Sequence, residues 1–242
     1  MYFFILFILN SSSAFALING GPLQSAPDVV RLIFNNGWVC TGTYIDPQTI
    51  LTSAHCLVSD ASEPLLQLTS VRSDKDEKLL VEQTALIPHP EYASQWLPSH
   101  DIGIIKTTEN KSFEGNFKIG KEASRRRGDV MIAGAGKADL AATDYSRTSG
   151  RASYLRLGSV LFFLGRSKNS SSDPGIDSTV APNDSGGPVF EGESRQLIGV
   201  LSGTTVRTSA KYGMSAVSTA TSILTDSNLQ FVLDHLGELA KH

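Results

Sequence analysis

Short apolar runs bounded by turn-forming residues fill most of the chain from Val29 onward, and this pattern limits the fold more than any other feature. Residues 29–34 and 43–45 are examples, each flanked by Gly, Asn or Asp. Runs of this length at close intervals are typical of strands in a sandwich or barrel. With 242 residues and 40% hydrophobic content, the chain can bury a core in one compact unit or two small ones. The sequence therefore predicts an all-β fold.

The period of the apolar residues changes near the C terminus. Asp226 and Ser227 are candidate capping residues at the start of this segment. An apolar stripe follows them at i, i+3, i+4 and i+7, made of Leu229, Val232, Leu233 and Leu236. This spacing predicts an amphipathic helix over about 226–241 that packs on the rest of the chain.

The hexapeptide 183–188 reads Asn-Asp-Ser-Gly-Gly-Pro and contains a candidate nucleophile, Ser185. A serine hydroxyl is weakly nucleophilic near neutral pH, so it needs a base for its proton and amide donors for the negative charge that its attack creates. Two glycines after Ser185 allow a tight turn and the close approach of a substrate carbonyl, and Asp184 places a carboxylate beside the hydroxyl. The same residue types are the commonest in surface turns, so this stretch alone leaves both readings open.

Two upstream segments each supply a partner for such a serine. Residues 51–56 end a predicted strand with His55, and residues 100–106 place Asp101 before an apolar run. An imidazole with a pKa of about 6.5 can take and return a proton near neutrality, and a carboxylate can orient it. Taken singly, His55 is more often explained as a packed histidine, and Asp101 as a strand-edge cap.

Together, these three segments, in the order His, Asp, Ser, resemble the chymotrypsin-like (trypsin-fold) serine proteases. The resemblance covers nearly all of residues 17–242 and is strongest at the three motifs. It implies two antiparallel Greek-key β-barrels packed together, followed by the C-terminal α-helix. The first barrel is expected over about 17–113 and the second over about 114–225.

The resemblance also implies a role for each candidate residue in a serine endopeptidase. His55 is the expected general base, Asp101 its orienting carboxylate, and Ser185 the nucleophile that forms an acyl-enzyme. The backbone amides of Asn183 and Ser185 are the expected oxyanion hole, although the family normally has Gly at position 183. A side chain there is expected to crowd the substrate and to lower turnover or make it selective.

The expected specificity pocket has Thr179 at its base, with walls from Ser202, Thr204 and Gly213. Thr179 offers no carboxylate to a basic side chain, so the prediction is a small or apolar uncharged residue before the cut bond. A shifted loop that brings Asp177 into the pocket is the alternative, and it favours Arg or Lys.

Residues 1–16 have the form of a secretory signal peptide, with an apolar run, a polar stretch and a final Ala-Phe-Ala, although no Lys or Arg precedes the run. The apolar run is much shorter than the roughly 20 residues that cross a bilayer. Cleavage after Ala16 exposes the α-amino group of Leu17, which the resemblance pairs with Asp184. Cleavage one residue later starts the chain at Ile18 and makes Leu17 a short propeptide.

The two cysteines, Cys40 and Cys56, are predicted to form a disulfide in an exported chain, with two buried free thiols as the alternative. A net charge of −3 provides no field that favours nucleic acid or an anionic membrane. The histidines and cysteines show no metal-ligand spacing, so no metal or cofactor is expected. The expected protein is a secreted monomer, extracellular or periplasmic, whose partners are protein or peptide substrates and protein inhibitors.

Two other functions compete with the peptidase. A catalytically silent protease homologue that acts as a binding protein is one, although all three candidate catalytic residues are present. A lipase-like α/β-hydrolase is the other. Its nucleophile turn needs Gly where Asn183 stands, and its acid and base need to follow Ser185, where too little chain is left for the outstanding strands and helices.

Overall fold

The computed structural model describes residues 21–22, 28–58, 67–72, 78–79, 83–93, 98–108, 113–115, 117–120, 126–136, 148–166, 178, 180–192, 195–209 and 213–237. The predicted signal peptide and the residues Leu17, Asp177 and Thr179 lie outside these ranges. No helix among the described residues has the length and apolar character needed to cross a membrane.

The described residues form strands, one short 3-10 helix and one α-helix. In chain order they are β1 (Gly21–Pro22), β2 (Val29–Phe34), β3 (Val39–Asp46), β4 (Thr49–Thr52), the 3-10 helix (Ala54–Cys56), β5 (Leu68–Arg72), β6 (Lys78–Leu79), β7 (Gln83–Pro88), β8 (Gly103–Thr107), β9 (Lys118–Ile119), β10 (Arg127–Gly134), β11 (Thr148–Leu157), β12 (Val160–Arg166), β13 (Pro188–Glu191), β14 (Gln196–Ser209), β15 (Gly213–Ser222) and α1 (Asp226–His235).

Strands β2 to β8 form the first barrel, in the spatial order β6-β5-β2-β3-β4-β8-β7 with antiparallel neighbours. The sheet curls on itself, since the Leu68 N–H in β5 donates to the Gln83 side-chain oxygen in β7 at 2.7 Å. Alternate inward positions of the strands fill the interior with fully buried apolar side chains. Among them are Val30, Leu32, Tyr44, Ile50 and Ile105.

The other strands form the second barrel. They run in the order β11-β10-β13-β14-β15-β12, and β12 pairs back to β11, which closes the ring. Strand β9 adds to β14 in parallel, and β1 pairs with β11. The range predicted for the first barrel included Gly21–Pro22, yet this pair joins the second sheet. The interior is again apolar and includes Ile132, Phe163, Val189, Ile198 and Leu201.

A third apolar cluster joins the two barrels and the helix. It combines Leu51 and Ile104 from the first barrel, Leu197 and Val200 from the second, and Phe231 and Val232 from α1. The two barrels with a C-terminal helix confirm the predicted fold class. Because this cluster is continuous with both barrel walls, residues carried by different barrels can be held at fixed separations.

The helix is shorter than predicted. It ends at His235, whereas the predicted range extended to about residue 241. Leu236 takes an extended conformation (φ −69°, ψ 143°), and the Gly237 N–H donates to the Asp46 carboxylate at 2.9 Å. A tertiary hydrogen bond to the first barrel thus draws the chain out of the helix.

Candidate active site

The pairing of β4 with β8 brings His55 and Asp101 together. His55 lies in the 3-10 helix that follows β4, Asp101 lies two residues before the start of β8, and Thr52 is opposite Gly103 in the ladder. The His55 Nδ1 lies 2.7 Å from Asp101 Oδ2, and the His55 backbone N–H donates to Oδ1 at 2.9 Å. The carboxylate therefore holds the proton on Nδ1 and leaves Nε2 free to act as a base.

His55 and Asp101 each stabilise the charged form of the other. Burial alone lowers the pKa of His55, but the charge and hydrogen bond of Asp101 outweigh it, so the pKa of His55 is raised above 6.5. Burial alone raises the pKa of Asp101, but His55 and a hydrogen bond from Ser202 outweigh it, so the pKa of Asp101 is lowered. An imidazolium formed at His55 is therefore stabilised next to an ionised carboxylate.

Ser185 is held between the two barrels. Its carbonyl oxygen accepts the Thr41 N–H at 2.8 Å, and the neighbouring Gly186 N–H donates to the Leu201 carbonyl at 2.7 Å. Ser185 and His55 line one cavity of about 300 Å³. In the described residues the Ser185 hydroxyl donates to the Ser202 carbonyl at 3.1 Å, with no hydrogen bond to His55. Proton transfer from Ser185 to His55 therefore needs a rotation of the serine side chain.

Asn183, two residues before Ser185, has a positive φ of 73°. The Asp184 N–H donates to the Ala181 carbonyl at 3.2 Å, so residues 181–184 form a β-turn with Pro182 and Asn183 at its centre. A positive φ at the third position and proline at the second define a type II turn. Asn is among the few residues besides Gly that accept this conformation readily, which explains how the chain departs from Gly here.

The turn also sets the direction of the Asn183 amide. A Cβ atom added to Gly136 would lie 2.3 Å from the Pro182 carbonyl oxygen, so this oxygen packs against the Gly136 side of the turn. In a trans peptide the N–H points the opposite way, here away from Gly136. Within the described part of the chain, neither the Asn183 nor the Ser185 N–H donates a hydrogen bond, and both residues border the cavity. Both amides are therefore candidate donors to a substrate oxygen.

Asp184 is fully buried beneath the turn. Its carboxylate accepts the Gly136 N–H at 2.9 Å and the Ala181 N–H at 2.8 Å. Burial raises its pKa to about 7, and the two amide hydrogen bonds offset only part of that effect. A Cβ atom on Gly134 would stand 2.2 Å from the carboxylate, so glycine is required there. Its expected partner, Leu17, is not among the described residues.

Ser202 and Thr204, which were predicted to line the specificity pocket, have different hydrogen-bond partners. The Ser202 hydroxyl donates to Asp101, which sequence reasoning missed because it treated Ser202 only as a pocket wall. The Thr204 hydroxyl lies 2.8 Å from the Ser218 hydroxyl and 3.0 Å from the Val180 carbonyl oxygen.

Gly213 requires a correction. It pairs with Ser209 at the far end of the β14–β15 hairpin, and the residue opposite Thr204 is Ser218. The sequence contains no signal for the length of this hairpin, and that length decides the pairing. Ser218, which also accepts the Val180 N–H at 3.0 Å, is therefore the residue of β15 that lies beside Thr204.

The predicted disulfide is confirmed. Cys40 in β3 and Cys56 in the 3-10 helix are bonded, with their Cα atoms 6.3 Å apart. Closing a loop of this length contributes about 3 kcal/mol to stability in the chain-entropy model. The bond also ties the helix that carries His55 to the strand that supports Ser185.

A cluster of His89, Glu91 and His100 lies under helix α1 with side-chain atoms close enough for a metal ion. The His89 Nδ1 accepts the Glu91 N–H at 3.1 Å, and the His100 Nδ1 lies 2.9 Å from Asn228 Oδ1. The imidazole rings also stack, with centroids 4.9 Å apart. Because these nitrogens are occupied by hydrogen bonds, the cluster is explained by packing of the helix.

Two barrels that hold a serine and a histidine in one cavity, with a buried aspartate hydrogen-bonded to that histidine, define the chymotrypsin-like class of serine proteases. The family model described as Trypsin matches residues 18–226. The chain therefore belongs to the trypsin family.

Similar proteins agree with this membership. Kallikrein-4 of Homo sapiens is 32% identical over 107 residues, which cover 43% of this chain and 41% of that protein. Achelase-1 of Lonomia achelous is 33% identical over 85 residues, covering 35% and 39%. The chain thus aligns with about two fifths of each relative. The structure of a Glu endopeptidase in complex with MPD shares the fold, with a TM-score of 0.64 and 17% identity over 89% of this chain and 96% of that one.

Proposed function

We propose that the protein is a serine endopeptidase in which His55 is the general base, Asp101 orients it and Ser185 is the nucleophile. The observation that carries this proposal is the His55–Asp101 hydrogen bond of 2.7 Å, which leaves Nε2 free in the cavity shared with Ser185. Labelling by a serine-directed fluorophosphonate tests it. Labelling of Ser185 supports the proposal, and no labelling of the processed protein favours the silent binding homologue.

The reaction follows from the positions of these groups. The Ser185 hydroxyl turns from the Ser202 carbonyl to His55 Nε2, gives up its proton and attacks the substrate carbonyl carbon. The negative charge on the carbonyl oxygen is held by the Asn183 and Ser185 amides. His55 then returns the proton to the leaving amine, which departs and leaves an acyl-enzyme. Water then gives a proton to His55 and attacks the acyl-enzyme ester. His55 returns this proton to the Ser185 oxygen as the ester bond breaks, which frees Ser185.

The His55–Asp101 pair predicts the pH dependence of the reaction. Catalysis needs neutral His55, and the pKa of His55 is raised above 6.5, so kcat/KM falls toward acid with a midpoint above 6.5. In Asp101→Asn the cause of the raised pKa is removed while burial still lowers it, so the midpoint moves to lower pH. The plateau value falls about ten-thousandfold, because the imidazole loses its orienting partner.

Steady-state kinetics from about pH 5 to pH 9 measure both effects, since this interval brackets the histidine titration. Asp234→Asn is the matched control, because Asp234 is an exposed carboxylate on helix α1. It retains the wild-type profile. A midpoint that moves upward in Asp101→Asn would contradict the assignment of Asp101.

We further propose a small or apolar uncharged side chain before the cut bond. Thr204 and Ser218 support this preference, since both present neutral hydroxyls near Val180, the neighbour of the proposed pocket base Thr179. Peptide-library cleavage read by mass spectrometry tests it, with Ser185→Ala as the blank. Cleavage chiefly after Ala, Val or Leu is expected, and cleavage chiefly after Arg or Lys supports the alternative in which Asp177 reaches the pocket.

Pairing of Asp184 with the α-amino group of Leu17 is the third part of the proposal. Without a cation, burial raises the pKa of Asp184 from 3.8 to about 7. A carboxyl whose pKa is higher in the folded state stabilises that state below its unfolded pKa, and this stabilisation is lost as the pH rises through the folded pKa. At about 1.4 kcal/mol per pH unit, the untrimmed chain loses about 4 kcal/mol between roughly pH 4 and pH 7.

Denaturant unfolding at about pH 4.5 and pH 8 measures this loss. Protein that begins at Leu17 is expected to lose much less stability, because the ammonium holds Asp184 ionised. Asp184→Asn removes the titration and controls for other groups. Equal losses in trimmed and untrimmed protein count against the pair.

The remaining parts of the proposal concern the whole protein. Residues 1–16 are taken as a signal peptide and residues 17–242 as one protease domain, with barrels near 17–113 and 114–225. The product is taken as a secreted monomer that binds protein substrates and protein inhibitors. At a net charge of −3 the protein has no cationic field that would attract nucleic acid, and this supports other partners. Amino-terminal sequencing and sedimentation of exported protein test these points together.

A further inference from the structure

The side chain of Thr41 lies where the two barrels meet, next to the turn that precedes Ser185. Thr41 belongs to β3 and is fully buried. Its hydroxyl accepts the Ala135 N–H at 2.9 Å and donates to the Asn183 carbonyl at 3.1 Å. A side chain of the first barrel is therefore bonded to the residue whose N–H is one of the two candidate oxyanion donors.

The directions of these two hydrogen bonds are fixed by the groups that make them. The Ala135 N–H can only donate, so the Thr41 oxygen accepts there, and the single hydroxyl hydrogen is left for the Asn183 carbonyl. Without the hydroxyl, a buried N–H and a carbonyl would both lose their partner, which is unfavourable in a site closed to solvent. The hydroxyl thus ties the turn to the segment that follows β10.

These bonds hold the type II turn on both sides of the Asn183 N–H. On one side, the Asn183 carbonyl is bonded to Thr41. On the other side, the Pro182 carbonyl oxygen packs against Gly136, whose neighbour Ala135 is bonded to the same hydroxyl. Because the peptide unit between the two carbonyls is planar, the direction of its N–H follows once both flanking positions are fixed.

The backbone conformation of Asn183 makes this support necessary. Its φ of 73° lies in the left-handed region, which residues with a side chain rarely adopt. Such conformations persist where the surrounding contacts hold them. Relaxation to a negative φ is a rotation about the N–Cα bond, so it would turn the N–H relative to the Asn183 carbonyl and away from its place beside the cavity.

The backbone of Thr41 has a separate role. The Thr41 N–H donates to the Ser185 carbonyl at 2.8 Å, and the Thr41 carbonyl accepts the Thr52 hydroxyl at 2.8 Å. Neither bond involves the Thr41 side chain. A substitution that removes only the hydroxyl therefore tests the oxyanion donor without releasing Ser185.

We propose that the Thr41 hydroxyl is a positioning group for the Asn183 oxyanion donor. Thr41 does not touch the substrate and acts through the turn that it holds. The inference rests on the proposed peptidase activity and gives Thr41 a part in stabilising the transition state, with no part in binding the substrate.

Thr41→Val tests the proposal, because it removes the hydroxyl and keeps the branched shape that suits a strand. Loss of a whole oxyanion donor lowers kcat about a hundredfold to a thousandfold, so a displaced donor is expected to lower it about tenfold to a hundredfold. KM is expected to change little, and the acid-side midpoint of kcat/KM stays at its wild-type value because the His55–Asp101 pair is untouched. Thr41→Ser keeps a hydroxyl and is expected to restore most of kcat. Titration of active sites with fluorophosphonate normalises each rate to folded protein.

A transition-state analogue gives a second measurement. A peptidyl trifluoromethyl ketone forms a tetrahedral adduct with Ser185 whose ionised oxygen faces the amide donors, whereas the corresponding alcohol forms no adduct. Thr41→Val is expected to weaken inhibition by the ketone by about the factor lost from kcat and to leave inhibition by the alcohol unchanged. A role of the hydroxyl in folding alone changes neither constant in titrated protein.

Thr43→Val is the matched control, because Thr43 lies two residues further along β3 and is also buried. Its hydroxyl has no hydrogen-bond partner among the described residues. This variant is expected to keep the wild-type kcat, KM and inhibition constants. If Thr41→Val does not fold, Thr41→Ala makes the same comparison with a smaller side chain.

The outcomes separate the role of Thr41 from the activity itself. An unchanged kcat in Thr41→Val, an equal loss in Thr41→Ser, or an equal loss in Thr43→Val overturns the proposal and leaves the endopeptidase assignment standing. Failure of the activity is seen in wild type. If wild type cleaves no peptide and fluorophosphonate does not label it, the endopeptidase assignment is rejected, and the role of Thr41 with it.

Discussion

Ser185→Ala is expected to lower kcat for peptide hydrolysis by about a millionfold, the loss found when the nucleophile of such a triad is removed. The physical reason is that no other group can form the acyl-enzyme, while the two amides and the binding surfaces still bind substrate. KM is expected to change little. His55→Ala costs about as much, and the double variant costs hardly more than either single one, because the two groups act as a unit.

Single-turnover assays with the variant at high concentration measure this loss against trace wild-type contamination. Ser153→Ala is a suitable control, since Ser153 is exposed on β11 and its hydroxyl bonds Asp129 on the barrel exterior. Thermal unfolding of both variants is expected to match wild type. A reduction of less than about a hundredfold in Ser185→Ala, far below the loss expected for a nucleophile, would show that another residue attacks the substrate.

Gly186→Ala is expected to destabilise the folded protein by more than about 4 kcal/mol, which is exceptional for a single substitution. Gly186 has φ of +88°, and a Cβ atom would lie 2.0 Å from the Thr41 carbonyl oxygen and 2.1 Å from the Thr52 hydroxyl. Both neighbours are buried parts of the first-barrel wall, so neither can move aside cheaply. The two barrels would have to separate at Ser185 to make room.

Denaturant unfolding followed by circular dichroism measures the effect. Gly203→Ala is the matched control for stability, because a Cβ atom there meets nothing within 4 Å and no positive φ is needed. It is expected to change the unfolding free energy by less than about 1 kcal/mol. Wild-type stability in Gly186→Ala would mean that the contact between Gly186 and Thr41 is looser than the structure has it.

Much of the fold was predictable because its signals are local. The short apolar runs predicted strands, the change of period predicted the C-terminal helix, and the even cysteine count predicted the disulfide. Each of these patterns depends on residues close together in the chain. The early end of the helix was not predictable, since it depends on a hydrogen bond between Gly237 and Asp46, which are far apart in sequence.

The residues of the candidate site were likewise predictable only in part. Three motifs indicated His55, Asp101 and Ser185, and the structure brings the first two into hydrogen-bond contact and the third into the cavity that His55 lines. Ser202 was expected in the pocket wall, but its hydroxyl bonds Asp101. Gly213 was expected in the pocket wall with Ser202 and Thr204, but the hairpin register pairs Gly213 with Ser209 and Ser218 with Thr204.

Residue identity by itself determined which chemical groups the protein has: a base, an acid, a hydroxyl, a turn that Asn183 can adopt, and glycines where a side chain would collide. Only the tertiary structure decided which of these groups meet. Strand register and barrel packing set those meetings, and the energies that select them come from hydrogen bonds and apolar contacts between segments far apart in the chain. A local pattern contains no measure of such distances, so the Ser202–Asp101 bond and the pairing of Ser218 with Thr204 became visible only in the folded protein.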